Sequence, residues 1–436
     1  MRGGPASGIL HTAMRIVPAR RFKGRFSLPG DKSICHRLAI LGALAKGRTV
    51  IENFSTAVDC ASTLSCLSQL GVEIRRSNGT VEIHGGGAEA LRASAEPLDA
   101  GNSGSTLRML AGPLAGRPFR SVLTGDESLR RRPVERIAAP LRAMGARVET
   151  SDGRPPLTVE GASLRAISWD LPVASAQAKT AVLLAALQAE GTTTVSEPLP
   201  SRDHTERLLP FFGARVEREG LSISARGPAP LRAYSMRAPG DASSAAFLVV
   251  AALVLPDSEL VIQDVLLNPL RIAFVDVLKG MGARIGVGLT AREPEPTGWI
   301  AASSSELHGL EVPPDLVPAL IDEVPALAVA AAFARGTTRI SGASELRVKE
   351  SDRVAALAGG LARMGSRVDE RPDGLIVHGG TALHGACVEA HGDHRIAMAL
   401  AVAALAAEGE TEIADAECAS VSFPEFYGLI AQASSG

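Results

Sequence analysis

Leu28-Pro29-Gly30-Asp31-Lys32-Ser33-Ile34-Cys35-His36-Arg37 is the stretch on which the reading of this chain turns. A Pro-Gly turn delivers Lys32 and Ser33 to an apolar run, 34–44, that reads as a helix. Asp31 or Ser33 can cap that helix, and Ser33 and Arg37 then lie one turn apart on one face. An ammonium, a hydroxyl, a guanidinium and free backbone N–H groups meet at a helix N-terminus, equivalent to roughly half a positive charge. That is an anion site in outline. The plain alternative is a solvated, basic helix start.

Internal repetition organises the rest of the chain. Gly71, Gly145, Gly213, Gly282 and Gly365 each close an amphipathic helical pattern, and an alternating strand follows each, at 72–75, 147–150, 215–218, 284–287 and 367–370. A helix ending in a left-handed residue favours glycine there. Between these marks, six Ala/Leu-rich helices begin near Lys32, Ser103, Ala176, Ala242, Glu323 and His394. The spacing of about 70 to 80 residues predicts one α/β unit written six times, with one helix apolar all round and a second, amphipathic helix outside it. Six such units suggest two lobes of three units each, buried helices inside and sheets outside. Ala238-Pro239-Gly240-Asp241-Ala242-Ser243 resembles the opening stretch, and both read as crossings between lobes. One lobe is then 28–239, and the other is 1–27 plus 240–436. Two sequential domains split near 240, or a solenoid, are the alternatives.

Composition narrows the function. With a formal net charge of -2, the chain has no basic field for nucleic acid. Its five cysteines contain no Cys-x-x-Cys pair and read as reduced, packed thiols. The longest apolar runs, 245–256 and 396–407, are about 12 residues, too short to span a bilayer. The first dozen residues lack the apolar core of a signal peptide and read as a frayed terminus.

The unusual residues sit where the buried helices begin. Gly101-Asn102-Ser103-Gly104-Ser105-Thr106-Leu107-Arg108 is a loop of small residues that lets backbone N–H groups approach a ligand. Ser175-Ala176-Gln177 offers a hydroxyl and an amide, Asp322 opens the fifth helix as a cap or a base, and Asp393-His394-Arg395 opens the sixth. Outside that pattern lie Arg130-Arg131-Arg132-Pro133, which as a short basic run reads as solvated surface, and Arg347-Val348-Lys349-Glu350-Ser351-Asp352-Arg353. If the latter is helical, Lys349 and Arg353 repel one another unless they share an anion. Together Lys32, Arg37, Arg132, Lys349, Arg353 and Arg395 face Asp322 and Glu350, a cationic centre in a nearly neutral chain. Such a centre predicts a small, multiply anionic substrate and two carboxyl groups for proton transfer. There is no zinc or iron ligand spacing, no Walker A (Asp31 interrupts it) and no Gly-x-Ser-x-Gly elbow.

These residues resemble a known family. Leu-Pro-Gly-Asp-Lys-Ser at 28–33, Gly-Asn-Ser-Gly at 101–104, Arg-Pro at 132–133, Ser-Ala-Gln at 175–177, Arg-Asp-His-Thr-Glu at 202–206, Ile-Asp-Glu at 321–323, Arg-Val-Lys-Glu-Ser-Asp-Arg at 347–353 and Asp-His-Arg-Ile-Ala-Met at 393–398 are similar to the 5-enolpyruvylshikimate-3-phosphate synthases, class II more than class I. The match runs in order along nearly the whole chain. It implies a two-lobed, inside-out α/β barrel closing over shikimate 3-phosphate and phosphoenolpyruvate, in the pathway to chorismate and the aromatic amino acids. Carried over by position, Lys32, Ser33, Arg37, Ser175, Ala176, Gln177, Arg202, Asp322 and Lys349 would hold shikimate 3-phosphate. Lys32, Gly104, Arg132, Gln177, Arg353, His394 and Arg395 would hold phosphoenolpyruvate. Asp322 would take the proton of the attacking 5-hydroxyl, while Glu350, with Lys32, would protonate the methylene carbon. A tetrahedral adduct would then lose phosphate. The resemblance implies no cofactor, no metal, no nucleic acid or membrane partner, a monomer and a cytoplasmic location.

The chain departs from the family pattern at three places. Val421 stands where class I has Lys, Met109 follows Arg108 where class I has Pro, and Gly104 stands where the glyphosate-tolerant class II pattern has Ala. With no methyl group there, glyphosate is expected to fit the phosphoenolpyruvate place. Three rivals remain. The enzyme that transfers enolpyruvate to UDP-N-acetylglucosamine has Lys-Asn in place of Lys32-Ser33 and a loop cysteine that 126–133 lacks. An RNA 3′-phosphate cyclase would need a nucleotidyl-accepting His and a basic RNA face. A non-catalytic phosphate-ligand scaffold would tolerate neutralising Asp322 or Glu350.

Overall fold

The computed structural model describes residues 13–435, so the N-terminal dozen read as frayed lies outside the described residues. Six helices carry the interior: α1 (Lys32–Leu44), α2 (Gly104–Ala115), α3 (Ala176–Ala186), α4 (Ala242–Val254), α5 (Val324–Phe333) and α6 (His394–Leu405). Each begins within one residue of the position its composition predicts. They are apolar on nearly every side because sheets and other helices cover every side; Val324 to Ala332 of α5 are all buried. Each fully buried Leu, Ile or Val contributes roughly 1.5–3 kcal/mol.

The strands gather into six sheets among the described residues, and five share one order. In the third, Ser168–Asp170 runs parallel to Gly191–Ser196, which pairs antiparallel with Ser222–Gly227, which pairs antiparallel with Val216–Glu219. The last of these follows the helix-closing glycine. All five closing glycines have φ between 88° and 115°, the left-handed conformation their place requires. The outer helix before Gly213 is shorter than its pattern suggests, only His204–Leu208. One glycine role was not legible in the periodicity. At the end of the long strand a Cβ on Gly85, Gly227 or Gly379 would stand 2.1–2.2 Å from a carbonyl oxygen at the end of the unit's buried helix. Only a glycine lets sheet and helix approach so closely.

Two hydrophobic cores form. One gathers apolar residues from Ile34 to Ala242 plus Leu266, and the other joins Ile16, Phe22, Phe26 and Leu28 to residues from Ala245 to Ala433. The N-terminal strands serve the second core: Met14–Ile16 pairs with Thr411–Ala414 and Lys23–Ser27 with Glu259–Leu266. The chain passes between cores twice, and the two passages touch. Gly30 and Gly240 form an antiparallel bridge, Asp31 N donates to Pro239 O at 2.7 Å and Asp241 N to Pro29 O at 3.0 Å. The turn expected at Pro29-Gly30 is therefore extended chain, held straight by its partner strand.

A Gly379→Ala substitution drives a methyl against the carbonyls of Ala331 and Ala334, whereas Gly359, inside a helix, has nothing within 4 Å of an added Cβ. Thermal or urea unfolding should show Gly379→Ala destabilised by about 2–4 kcal/mol, and Gly359→Ala unchanged or stabilised by up to about 1 kcal/mol.

Candidate active site

The starts of all six buried helices line one cavity of about 400 Å³ between the two cores. Every residue given a binding or catalytic role by the resemblance reaches it: Lys32, Ser33 and Arg37 from α1, Gly104 from α2, Ser175, Ala176 and Gln177 from α3, Asp322 just before α5, and His394 and Arg395 from α6. Arg132, Arg202, Lys349 and Glu350 arrive from the connections, and Arg353 from the start of an outer helix. Ten cationic side chains line the cavity against five carboxylates, in a chain whose net charge is -2. The cationic centre is local.

Caps decide which side chains are left for a ligand. Asp31, not Ser33, caps α1, accepting from Ile34 N at 3.0 Å, so Ser33 stays on the cavity wall. Asp322 is not a cap: α5 starts two residues later, with Glu323 at its cap position. The Asp322 carboxylate instead accepts from Arg202 Nη2 at 2.6 Å, and its backbone oxygen from Arg395 Nη1 at 3.0 Å. The 347–353 stretch is not one helix. A 3-10 turn covers Ser344–Val348, and a new α-helix, Arg353–Arg363, is capped by Asp352. Lys349 and Arg353 are thus not a like-charged helical pair, although both reach the cavity.

Carboxylate–arginine pairs bridge the two cores. Glu350 accepts from Arg132 Nη1 at 3.1 Å and from Arg353 Nη2 at 2.5 Å. Arg132 also reaches Asn102 Oδ1 at 2.6 Å, so the basic run at 130–132 is not all solvated surface. Arg353 is further held by Asp393 at 2.8 Å. Farther out, Arg136 and Glu345 pair at 3.1 Å. Gln177 is fixed by Arg108 at 2.8 Å and Ser105 at 2.9 Å, and Arg37 donates to Thr205, Thr180 and the Ser33 carbonyl. Asp59, Arg136 and Glu345 also line the wall, and none of them carried a functional signal in the sequence. Arg136 and Glu345 lie 209 residues apart, and no local pattern announces such a pair.

The charges set one another's protonation. Burial pushes the Asp322 carboxyl up, but Arg395, Arg202, Lys349 and Arg353 outweigh it and hold it well below the usual carboxylate range. Burial likewise opposes Glu350, and Arg353, Arg132 and Lys349 hold it well below its ordinary value. Both are ionised, and both will stay so until acid well below the usual carboxyl range removes the stabilisation these pairs supply. Burial lowers Lys349 despite Asp322, and burial with Lys32 beside it keeps His394 neutral at pH 7. Lys32 goes the other way. Burial lowers it, but Asp59, 2.8 Å from its Nζ, brings it above its ordinary value with further help from Glu350. A donor-rich cleft with two ionised carboxylates and a protonated lysine suits proton transfer to and from a multiply charged anion.

A sequence model of the EPSP synthase family, 3-phosphoshikimate 1-carboxyvinyltransferase, matches residues 16–429. The chain is 50% identical to the 3-phosphoshikimate 1-carboxyvinyltransferase of Acidithiobacillus ferrooxidans, over 97% of this chain and 98% of that one. It is 51% identical to that of Pelotomaculum thermopropionicum, over 96% and 98%. Among solved structures, EPSP synthase from Acinetobacter baumannii superposes with a TM-score of 0.86 at 43% identity, covering 97% and 98% of the two chains. The enolpyruvyl transferase NikO from Streptomyces tendae shares the fold, with a TM-score of 0.78 at 20% identity.

Asp59→Asn removes the counter-charge of Lys32 while leaving it buried. Lys32 should then titrate below its ordinary value instead of above it, which pH-dependent amine labelling followed by peptide mapping reads directly. The stability gained from the raised lysine, present below its ordinary pKa and lost as pH rises through the raised value, should vanish in the same variant.

Proposed function

The chain belongs to the EPSP synthase family, and we propose from that premise that it transfers the enolpyruvyl group of phosphoenolpyruvate to the 5-hydroxyl of shikimate 3-phosphate. Inorganic phosphate leaves, and the product is a step towards chorismate. The observation that carries this reading is the cavity: six helix starts, a surplus of cations and the half-buried carboxylates of Asp322 and Glu350 at one place. Each substrate brings about three negative charges, a carboxylate and a phosphate monoester near −2. Together they match the cationic surplus of the wall.

In the proposed assignment the core of 28–239 acts as one lobe and takes shikimate 3-phosphate through Ser33, Arg37, Ser175, Ala176, Gln177 and Arg202. The other lobe, 1–27 plus 240–436, brings Asp322, Lys349, Glu350, Arg353, His394 and Arg395. Phosphoenolpyruvate lies between, on Lys32, Gly104, Arg132, Gln177, Arg353, His394 and Arg395. Asp322 removes the 5-hydroxyl proton as the oxygen bonds to C2 of phosphoenolpyruvate. Glu350, with Lys32, delivers a proton to C3. Loss of a C3 proton back to Glu350 then re-forms the double bond as the C2–O bond to phosphate breaks, and the proton that Asp322 took from the hydroxyl leaves with the phosphate.

The ion pairs on the wall set what the substrates must displace. Asp322 is a weak base and Glu350 is unprotonated because Arg202, Arg353, Arg132 and Arg395 neutralise them. Substrate phosphates and carboxylates would engage those same guanidinium groups. Both carboxylates then lose cationic neighbours and gain anionic ones, and both pKa values rise towards their tasks. Closure of the lobes excludes water around them. A monomer in the cytoplasm is the setting proposed for this chemistry; no single helix among the described residues is long and apolar enough to cross a membrane.

Phosphate release should require both substrates, and Glu350→Gln should lower kcat by at least about a hundredfold, the range of general acid–base catalysis. No release from the parent protein ends the reading and leaves a binding scaffold, and full release from Glu350→Gln takes the acid's role from Glu350. Glyphosate should compete with phosphoenolpyruvate in steady-state inhibition. An added Cβ on Gly104 meets Arg108 Nη1 at 2.8 Å and lies 3.6 Å from Arg132 Nη1, so Gly104→Ala should weaken glyphosate. Millimolar tolerance in the unmodified protein contradicts the expectation.

A further inference from the structure

Arg271 lies on the cavity wall but belongs to no substrate-binding motif. Its side chain is 1% exposed, and three carboxylates surround it. Nη2 bonds Asp31 Oδ2 at 2.7 Å and lies 3.7 Å from Asp241 Oδ1, and Nη1 lies 3.6 Å from Glu323 Oε1. Burial opposes its charge, but Asp31, Glu323 and Asp241 outweigh burial and fix it as a cation.

The chain neighbours of those carboxylates give the arrangement its meaning. Asp31 caps α1, whose first residue is Lys32, and Asp241 accepts from the Lys32 backbone N–H at 2.9 Å. Glu323 directly follows Asp322 and also accepts from the Ser243 hydroxyl at the start of α4. One guanidinium therefore touches the backbone neighbour of the amine in one core and of the base in the other. The contact to Glu323 is an ion pair without a hydrogen bond: Arg271 Nη1 and Glu323 Oε2 have no hydrogen-bond partner among the described residues. That side of the tether acts through charge, and so through distance, more than through a fixed hydrogen bond.

We propose that Arg271 is a positioning residue for the transfer reaction, setting the spacing between Lys32 and Asp322 through Asp31 and Glu323. The inference rests on the roles given above to Lys32 and Asp322. Arg271 itself touches neither reacting atom. What it controls is the distance between the group that takes the hydroxyl proton and the amine that holds the other substrate. Misplacement by about 1 Å is enough to cost roughly a hundredfold in rate.

The test compares the parent protein, Arg271→Lys, Glu323→Gln and the double variant by phosphate release, with kcat and both KM values measured and thermal unfolding run alongside. Glu323→Gln keeps an oxygen for the Ser243 hydroxyl and a similar volume, so it decides the matter even if Arg271→Lys does not fold. The expected result is a kcat about tenfold to a hundredfold lower in Glu323→Gln, with both KM values within about threefold of the parent. The double variant should lose no more than the worse single variant, because the two residues act on one spacing. A folded Glu323→Gln whose kcat is unchanged, or whose loss lies wholly in KM, overturns the inference while leaving the reaction in place. No turnover in the parent removes the reaction and the inference together.

Discussion

The structure depends on one point of contact, where the chain passes between its cores at Gly30 and Gly240. An extended crossing of two strands is a poor place for side chains: a Cβ on Gly30 would stand 2.0 Å from the Asn53 carbonyl oxygen. It is a good place for two aspartates. Asp31 and Asp241 each cap the helix that begins beside the crossing, so the passages that join the cores also aim α1 and α4. Helix N-termini from both cores are thereby brought to one cavity, and their partial positive charges add to those of lysine and arginine. Fold and site share the same few atoms.

A cavity with this many cations cannot stand empty of counter-charge. The counter-charge comes from Asp322, Glu350, Asp59 and Glu345, paired with Arg202, Arg132, Arg353, Lys32 and Arg136. Three of these pairs, Arg202 with Asp322, Arg132 with Glu350 and Arg136 with Glu345, join residues from opposite sides of the cleft. Partly buried pairs of this kind offset their own desolvation and add little net stability. They keep the cleft's charges matched, and in the proposed reaction anionic substrates replace the carboxylates and so make an acid of one and a base of the other.

Much of this was legible in the sequence because it depends on local chemistry. Glycines at Gly71, Gly145, Gly213, Gly282 and Gly365 mark helix ends through their own φ, and the apolar runs mark buried helices through composition. The motif residues were visible as polar groups at helix starts. What was not legible needs the third dimension. Gly30 reads as a turn until Gly240 is beside it, and Asp322 reads equally as a cap or a base until Arg202, 120 residues away, is seen to hold it. Glu350 could be named as an acid, but nothing local shows that Arg132 and Arg353 keep it ionised in the free protein. Arg271 carried no signal because its partners lie at positions 31, 241 and 323.

The exchange of counter-ions in the cleft is the central claim, and calorimetry of phosphoenolpyruvate binding to the complex with shikimate 3-phosphate tests it most directly. Run in buffers of different ionisation enthalpy, the titration counts protons taken up or released. If substrate anions take Arg132 and Arg353 from Glu350, binding near neutral pH draws protons from the buffer, and the uptake falls in Glu350→Gln. Binding with no proton uptake, or with the same uptake in Glu350→Gln, would contradict it.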